Sequence, residues 1–171
     1  MMFDDSYFIE SPLGKLAITA SQKGITAITF GVNEKLVKNI DDVEARNHRS
    51  ICKQQLFEYF AGQRTVFSVS LDFTGTRFQH SVWTTLLQIP YGKTMTYKEL
   101  ASAIGNSNAC RAVGMANNRN PLPIIIPCHR VIGSSGKMVG YAGDIWRKEW
   151  LLNHEVLTHF ATKPKRNIVY Q

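Results

Sequence analysis

A chain of 171 residues with 44% hydrophobic residues is long enough for one domain, or two small ones sharing an interface, and its ordinary composition points to a globular protein. Its net charge of +7 is uneven: residues 1–76 hold 8 Lys+Arg against 9 Asp+Glu and residues 77–171 hold 12 against 4, so the second half suits a polyanion and the first half suits support. No apolar run approaches a membrane span, Met1-Met2-Phe3-Asp4-Asp5 lacks the regions of a signal peptide, and Cys52, Cys110 and Cys128 show no close pairing; a cytoplasmic protein with reduced thiols and no membrane partner is expected.

Residues 7–30 read as an antiparallel meander: Tyr7-Phe8-Ile9, a turn at Ser11-Pro12-Leu13-Gly14, Lys15 to Ala20, a turn at Gln22-Lys23-Gly24, and Ile25 to Phe30. A polar stretch through Asp41-Asp42 leads to a helix from about Asn47 to Phe60, whose apolar face is expected to be Ile51, Leu56, Phe57 and Phe60. His48 and Cys52 lie four apart on it, but no second pair at ligand spacing accompanies them and no metal is expected. Val66 to Phe73 alternates apolar and polar residues and is expected to close this half as another strand, with Thr74-Gly75-Thr76 as the linker.

The second half reads as mainly helical. Phe78 to Ile89 carries Phe78, Val82, Leu86 and Leu87 at helical spacing and stops at Pro90-Tyr91-Gly92. Thr94 or Thr96 can cap a short helix, Tyr97 to Ile104, ended by Gly105; Ser107 can cap a second, Asn108 to about Asn117. Two short helices around a glycine-containing turn resemble a helix-turn-helix. On the second, Ala109, Ala112, Val113, Gly114 and Ala116 keep the surface low around Arg111, which suits either packing on the protein's own core or close approach to a groove.

Pro123-Ile124-Ile125-Ile126 reads as a buried strand or extended segment leading to Pro127-Cys128-His129-Arg130. A thiol of ordinary pKa, about 8.5, is only a few per cent thiolate near neutrality, so a nucleophilic Cys128 needs a base or a positive field, and His129 and Arg130 offer both. Adjacent side chains of an extended chain point apart, so His129 would reach the sulfur through a turn or a water and would need a third group to orient it. Gly133-Ser134-Ser135-Gly136 then supplies a loop that could fold over a pocket.

Ile126-Pro-Cys-His-Arg-Val-Ile132 resembles the active-site signature of the 6-O-alkylguanine-DNA alkyltransferases. The resemblance continues through Thr96-Tyr97-Lys98-Glu99-Leu100-Ala101, Arg111-Ala112-Val113-Gly114, Asn120-Pro121, Gly140-Tyr141-Ala142-Gly143 and Lys148-Glu149-Trp150-Leu151-Leu152, covering about residues 77 to 157, while the N-terminal third matches only loosely. It implies an α/β two-domain protein: an N-terminal antiparallel-sheet domain with a helix at 1–76, a helix-rich, winged-helix-like DNA-binding and alkyl-acceptor domain at 77–160, and a basic tail at 161–171.

The implied activity is DNA repair by single-turnover, irreversible transfer of the alkyl group from 6-O-alkylguanine to Cys128 after base flipping, with alkylated thymine a second candidate substrate. No cofactor is implied. The partner is duplex DNA met through its minor groove by a monomer. By the resemblance, Glu155 orients His129, Tyr97 donates to the guanine ring, and the carbonyls of Cys128 and Val131 accept from the exocyclic amine. Pro123 walls the pocket, the N–H of Ala142 meets the substituted oxygen, and Arg111 fills the gap left by the extruded base. Asn120 ties the loops together, and Lys98 and Ser134 contact phosphates. Asn117 and Asn118 depart from the apolar or basic residues of some relatives.

Two other readings compete. A damage-binding relative that transfers nothing would usually replace the reactive cysteine, against Cys128; a major-groove regulator would carry long polar side chains, against the small ones around Arg111.

Overall fold

A computed structural model describes residues 7–31, 42–139, 141 and 143–161. Strands β1 (Phe8–Ile9), β2 (Leu16–Ala20) and β3 (Ile25–Phe30) form an antiparallel sheet in that order. Leu16, Ile18, Ile25 and Ile28 bury their side chains, which fixes the register Leu16 to Phe30 and Ile18 to Ile28.

Helix α1 (Val43–Phe60) covers this sheet and begins four residues before the expected Asn47. The cause is Asp42, whose carboxylate accepts from Glu44 N at 2.9 Å and Ala45 N at 3.1 Å. The expected apolar face is half wrong: Ile51 and Phe57 are 49% and 51% exposed, whereas Arg49, Cys52, Lys53, Leu56 and Tyr59 are buried. Long basic side chains bury their stems, and Arg49 lies over the Tyr7 ring at 4.0 Å. Cys52 is a core residue and His48 Nε2 pairs with Gln22 O at 3.2 Å.

Residues 66–73 do not form the expected strand. Only Leu71 bridges Ile25, through Ile25 N to Ser70 O and Asp72 N to Ile25 O, both 2.8 Å. Further along, Ser68 N goes to the Gln55 side chain, at 2.8 Å, instead of to a strand. The segment approaches so closely that a Cβ on Gly24 would lie 2.6 Å from the Ser70 carbonyl.

Helix α2 (Arg77–Leu86) is capped by Thr76 and Gln79 and ends before the expected Ile89, leaving Leu87 exposed. The two-residue strand β4 (Met95–Thr96) precedes α3 (Tyr97–Ala103), where Thr96 and Glu99 form a reciprocal capping box. Gly105, at φ 81°, turns the chain toward α4 (Cys110–Asn118). Ser107 does not cap α4: Ala109 N bonds Asn106 O at 3.0 Å, and this extra turn delays the helix. Strand β5 (Val131–Ile132) pairs parallel with β4, and α5 (Ile145–Ala161) packs on the cysteine segment.

One core joins both halves, with Leu13, Leu56 and Tyr59 meeting Leu86, Leu122 and Leu151 in the same cluster. No described helix is long and apolar enough to cross a membrane. Residues 162–171 of the basic tail lie outside the described residues.

Candidate active site

The segment before Cys128 is a turn, not the strand or extended run read from its isoleucines. Asn120 closes it, its Nδ2 donating to Ile126 O at 2.8 Å while its Oδ1 accepts from Leu122 N at 2.9 Å; Ile126 N returns to Leu122 O at 2.9 Å. The tightness forces Ile124 to φ 77°, a left-handed conformation that costs a β-branched residue on the order of 1–3 kcal/mol. Burial of Ile124, Ile125 and Ile126 offsets that strain. Cys128 N then bonds Ile126 O at 2.8 Å, and Cys128–Arg130 make one 3₁₀ turn. The thiol therefore sits on a base held by the backbone bonds of Leu122, Ile126, Cys128 and Arg130.

Behind the turn, Glu155 from α5 gathers five donors. Its Oε1 accepts from His129 Nε2 at 2.7 Å, Tyr59 Oη at 2.8 Å and Arg130 Nη2 at 2.9 Å. Its Oε2 accepts from Arg130 Nε at 2.9 Å and Gly92 N at 3.1 Å. Burial alone would raise this carboxyl, but the bonds and charge of its His129 and Arg130 partners hold it well below the ordinary glutamate range. Arg130 spends its charge here, with Nη1 on Ile89 O at 2.6 Å, and not on the sulfur as its place in the sequence suggests.

The carboxylate fixes the histidine. An ionised acid only accepts, so the neutral ring carries its proton on Nε2 and its lone pair on Nδ1. Nδ1 is buried and has no hydrogen-bond partner in the protein. Burial first, and then the charges of Arg130 and Lys148, depress the pKa of His129 despite Glu155, so the ring is neutral and basic at pH 7. Burial pushes the Cys128 thiol up to about 11 against a bond from Asn120 and the Lys148 charge. At rest it is a thiol beside a base, not a standing thiolate.

Lys148 is a site residue that the sequence reading left without a role. It is fully buried, its Nζ donates to Val131 O and, at 3.0 Å, to Val139 O, and burial lowers its pKa to about 8. Tyr97 Oη donates to the same Val139 O at 2.8 Å, and burial raises that hydroxyl to about 12, keeping it a donor. Tyr59 was also missed: α1 reaches across the halves to Glu155, and no local motif marks that. Arg130 and Lys148 lie within recognisable motifs, but only the structure shows which acceptors their charges meet.

Cys128 opens on a cavity of about 290 Å³ whose lining includes Pro123, Tyr141, Asn117, Asn118 and Phe30. Val131 is buried, its N–H donating to Cys128 O. Ala142 lies outside the described residues. On α4, Val113 and Ala116 face the core and Gly114 approaches the Tyr97 ring, while Arg111, Ala112, Met115 and Asn118 form the exposed face. The small residues thus serve both uses that their pattern allows. Lys98 on α3 and Ser134 in the 133–136 turn are exposed.

The structure brings Cys128, His129, Glu155, Asn120 and Pro123 together with Lys148 and leaves Lys98, Ser134 and Arg111 on the surface.

Residues 77–157 match the family model of the 6-O-methylguanine DNA methyltransferase DNA binding domain, and residues 6–73 that of the ribonuclease-like domain of the same family. A methylated-DNA–protein-cysteine methyltransferase of Mycobacterium leprae is 55% identical over 153 residues, 88% of this chain and 93% of that protein. One from Methanosarcina acetivorans is 47% identical over 147 residues, 85% and 94% of the two chains. The crystal structure of Mycobacterium tuberculosis OGT in complex with DNA superposes with a TM-score of 0.78 at 44% identity, covering 88% of this chain and 92% of that one.

Proposed function

The chain belongs to the 6-O-methylguanine DNA methyltransferase family, and from that premise we propose that it repairs DNA by moving the alkyl group of a 6-O-alkylguanine onto its own Cys128. The observation that carries this reading is a buried thiol facing a cavity, with a neutral histidine at the next position oriented by an ionised glutamate. The cavity is at the small end of ligand sites, the scale of a single base. The alkyl carbon of a paired guanine lies within the stack, so the base must swing out before a sulfur can approach in line with the leaving oxygen.

The steps balance without a cofactor. His129 Nδ1 takes the thiol proton through a water, the sulfur forms a bond to the alkyl carbon, and the carbon–oxygen bond breaks toward guanine. Guanine gains one proton as it leaves, matching the one Cys128 lost, and Tyr97 stabilises the charge that passes through the ring. The product is a thioether that no base in the site can cleave, so each molecule acts once. Because His129 is depressed below its ordinary value near 6.5, the transfer rate stays level as pH falls through 6.5 and declines only in more acid solution. A rate already halved at pH 6.5 would show an unperturbed histidine.

Residues 1–76 support the acceptor half, 77–160, in a cytoplasmic setting that keeps the free cysteines reduced. Arg111, exposed on α4, enters the stack from the minor groove and replaces the extruded base. Since extrusion costs a few kcal/mol and about 1.4 kcal/mol is tenfold in rate, Arg111→Ala slows repair of duplex DNA by about 10-fold or more while changing reaction with free 6-O-alkylguanine by less than about 3-fold. Equal losses on both would remove Arg111 from extrusion. The activity itself is tested with duplex DNA carrying methyl-labelled 6-O-methylguanine in excess over protein: label moves to protein and stops at one per molecule. Continuing turnover, or binding without transfer, contradicts the reading.

A further inference from the structure

Asn117 lies in the last turn of α4, 1% exposed, on the wall of the Cys128 cavity. Its Nδ2 donates to Cys128 O at 3.4 Å. That contact sets the amide's orientation, since two oxygens would repel, and it leaves Oδ1 turned away from the carbonyl. Asn117 Oδ1 is buried without a hydrogen-bond partner in the protein. The amide also interacts with the Tyr97 hydroxyl, whose own proton goes to Val139 O.

The two carbonyls that the family resemblance assigns to the exocyclic amine are already engaged, Cys128 O by Asn117 Nδ2 and Val131 N, and Val131 O by Lys148 Nζ, which also holds Val139 O. The Tyr141 hydroxyl, also unpartnered and on the cavity wall, can turn its proton to donate or accept. Asn117 Oδ1 can only accept. A buried acceptor left orphaned is costly, so the arrangement calls for a ligand that brings a donor.

The lesion's own chemistry names that donor. An alkyl group on oxygen six removes the proton from N1 of guanine, so the exocyclic amine carries the base's only N–H groups. In 4-O-alkylthymine, N3 has likewise lost its proton and the base carries no N–H at all. We propose that Asn117 is a specificity-determining residue whose Oδ1 accepts from the exocyclic amine of the flipped guanine, selecting alkylated guanine over alkylated thymine. This rests on the alkyl-transfer reading and extends it to which base is accepted. Thymine leaves Oδ1 as orphaned as the empty pocket does, and purines lacking the amine do the same.

The test uses one duplex sequence carrying either 6-O-methylguanine or 6-O-methylhypoxanthine, which keeps the purine ring and the methyl group but lacks the amine. Single-turnover transfer rates are measured for wild type, Asn117→Leu and Asn117→Met. Wild type is expected to favour guanine by about 10-fold or more, the scale of an orphaned buried acceptor. In both variants the ratio is expected to fall at least about 5-fold. Each ratio is taken within one protein, so a loss of folded fraction cancels. Equal wild-type rates on the two lesions, or a ratio unchanged in the variants, overturns the role of Asn117 while leaving the transfer reading intact. Absence of transfer from both lesions by wild type sinks that reading and this inference with it.

Discussion

Cys128→Ala is expected to bring methyl transfer from duplex DNA down to background while DNA affinity stays unchanged. The sulfur is the only atom of the site asked to form a bond, whereas the exposed face of α4, proposed to meet DNA, contains no part of the cysteine turn. The change removes one buried atom and leaves the backbone bond from Cys128 N to Ile126 O available to alanine, so the loop should keep its form. Its stability cost should lie near the ~1 kcal/mol typical of point changes. Rapid-quench transfer assays and DNA titrations of one preparation check both halves. Residual transfer well above background would move the nucleophile elsewhere, and a large loss of affinity would mean that the turn itself meets DNA.

Glu155→Ala is expected to have the largest effect on stability. It removes the acceptor for five donors at once and leaves the Arg130 guanidinium buried beside a neutral ring and a tyrosine. Breaking a buried pair by deleting one partner costs about 3–5 kcal/mol, a large share of the roughly 5–15 kcal/mol that holds a domain folded. Glu155→Gln should cost less, because one oxygen still accepts, but its amide cannot dictate the His129 tautomer and transfer should still fall. The pH dependence carries the same sign. The folded carboxyl lies below its ordinary value near 4.5, so its contribution is complete above that pH and is lost as pH falls toward the folded value. Urea melts at pH 7 and pH 4 test this: wild type should weaken on acidification, and Glu155→Ala should lose less over the same interval. An equal loss would place the acid sensitivity in other groups.

Much of this was legible in the sequence wherever the cause is local. The meander, the Thr96 cap and Gly105 follow from alternation, capping chemistry and a left-handed turn, and the structure carries all three. Misreadings fall where a distant partner decides. Residues 66–73 alternate like a strand, yet only Leu71 bridges Ile25, and Ser68 N goes to the Gln55 side chain instead of to a strand. The isoleucines before Cys128 look extended because β-branched residues favour that state, but Asn120 spans the segment and bends Ile124 out of it. Helix α1 hides the stems of Arg49 and Lys53, which an apolarity count assigns to solvent.

The site divides the same way. Pro127-Cys128-His129-Arg130 announces a nucleophile and a base from adjacency alone. Glu155, 26 positions after His129, entered through the family resemblance. Tyr59, 96 positions from Glu155, had no sequence signal of its own. Lys148 belongs to a motif whose role shows only when its ammonium is seen on Val131 and Val139. The open valence of Asn117 Oδ1 exists only once the amide is seated on Cys128 O.

The most direct measurement is intact and peptide mass spectrometry of reduced, folded protein after mixing with a duplex containing 6-O-methylguanine. A gain of one methyl group per molecule is expected, located on Cys128 and matched by restored guanine in the DNA. Tight binding with no gain in mass, or a methyl group mapped to Cys52 or Cys110, would contradict transfer to Cys128.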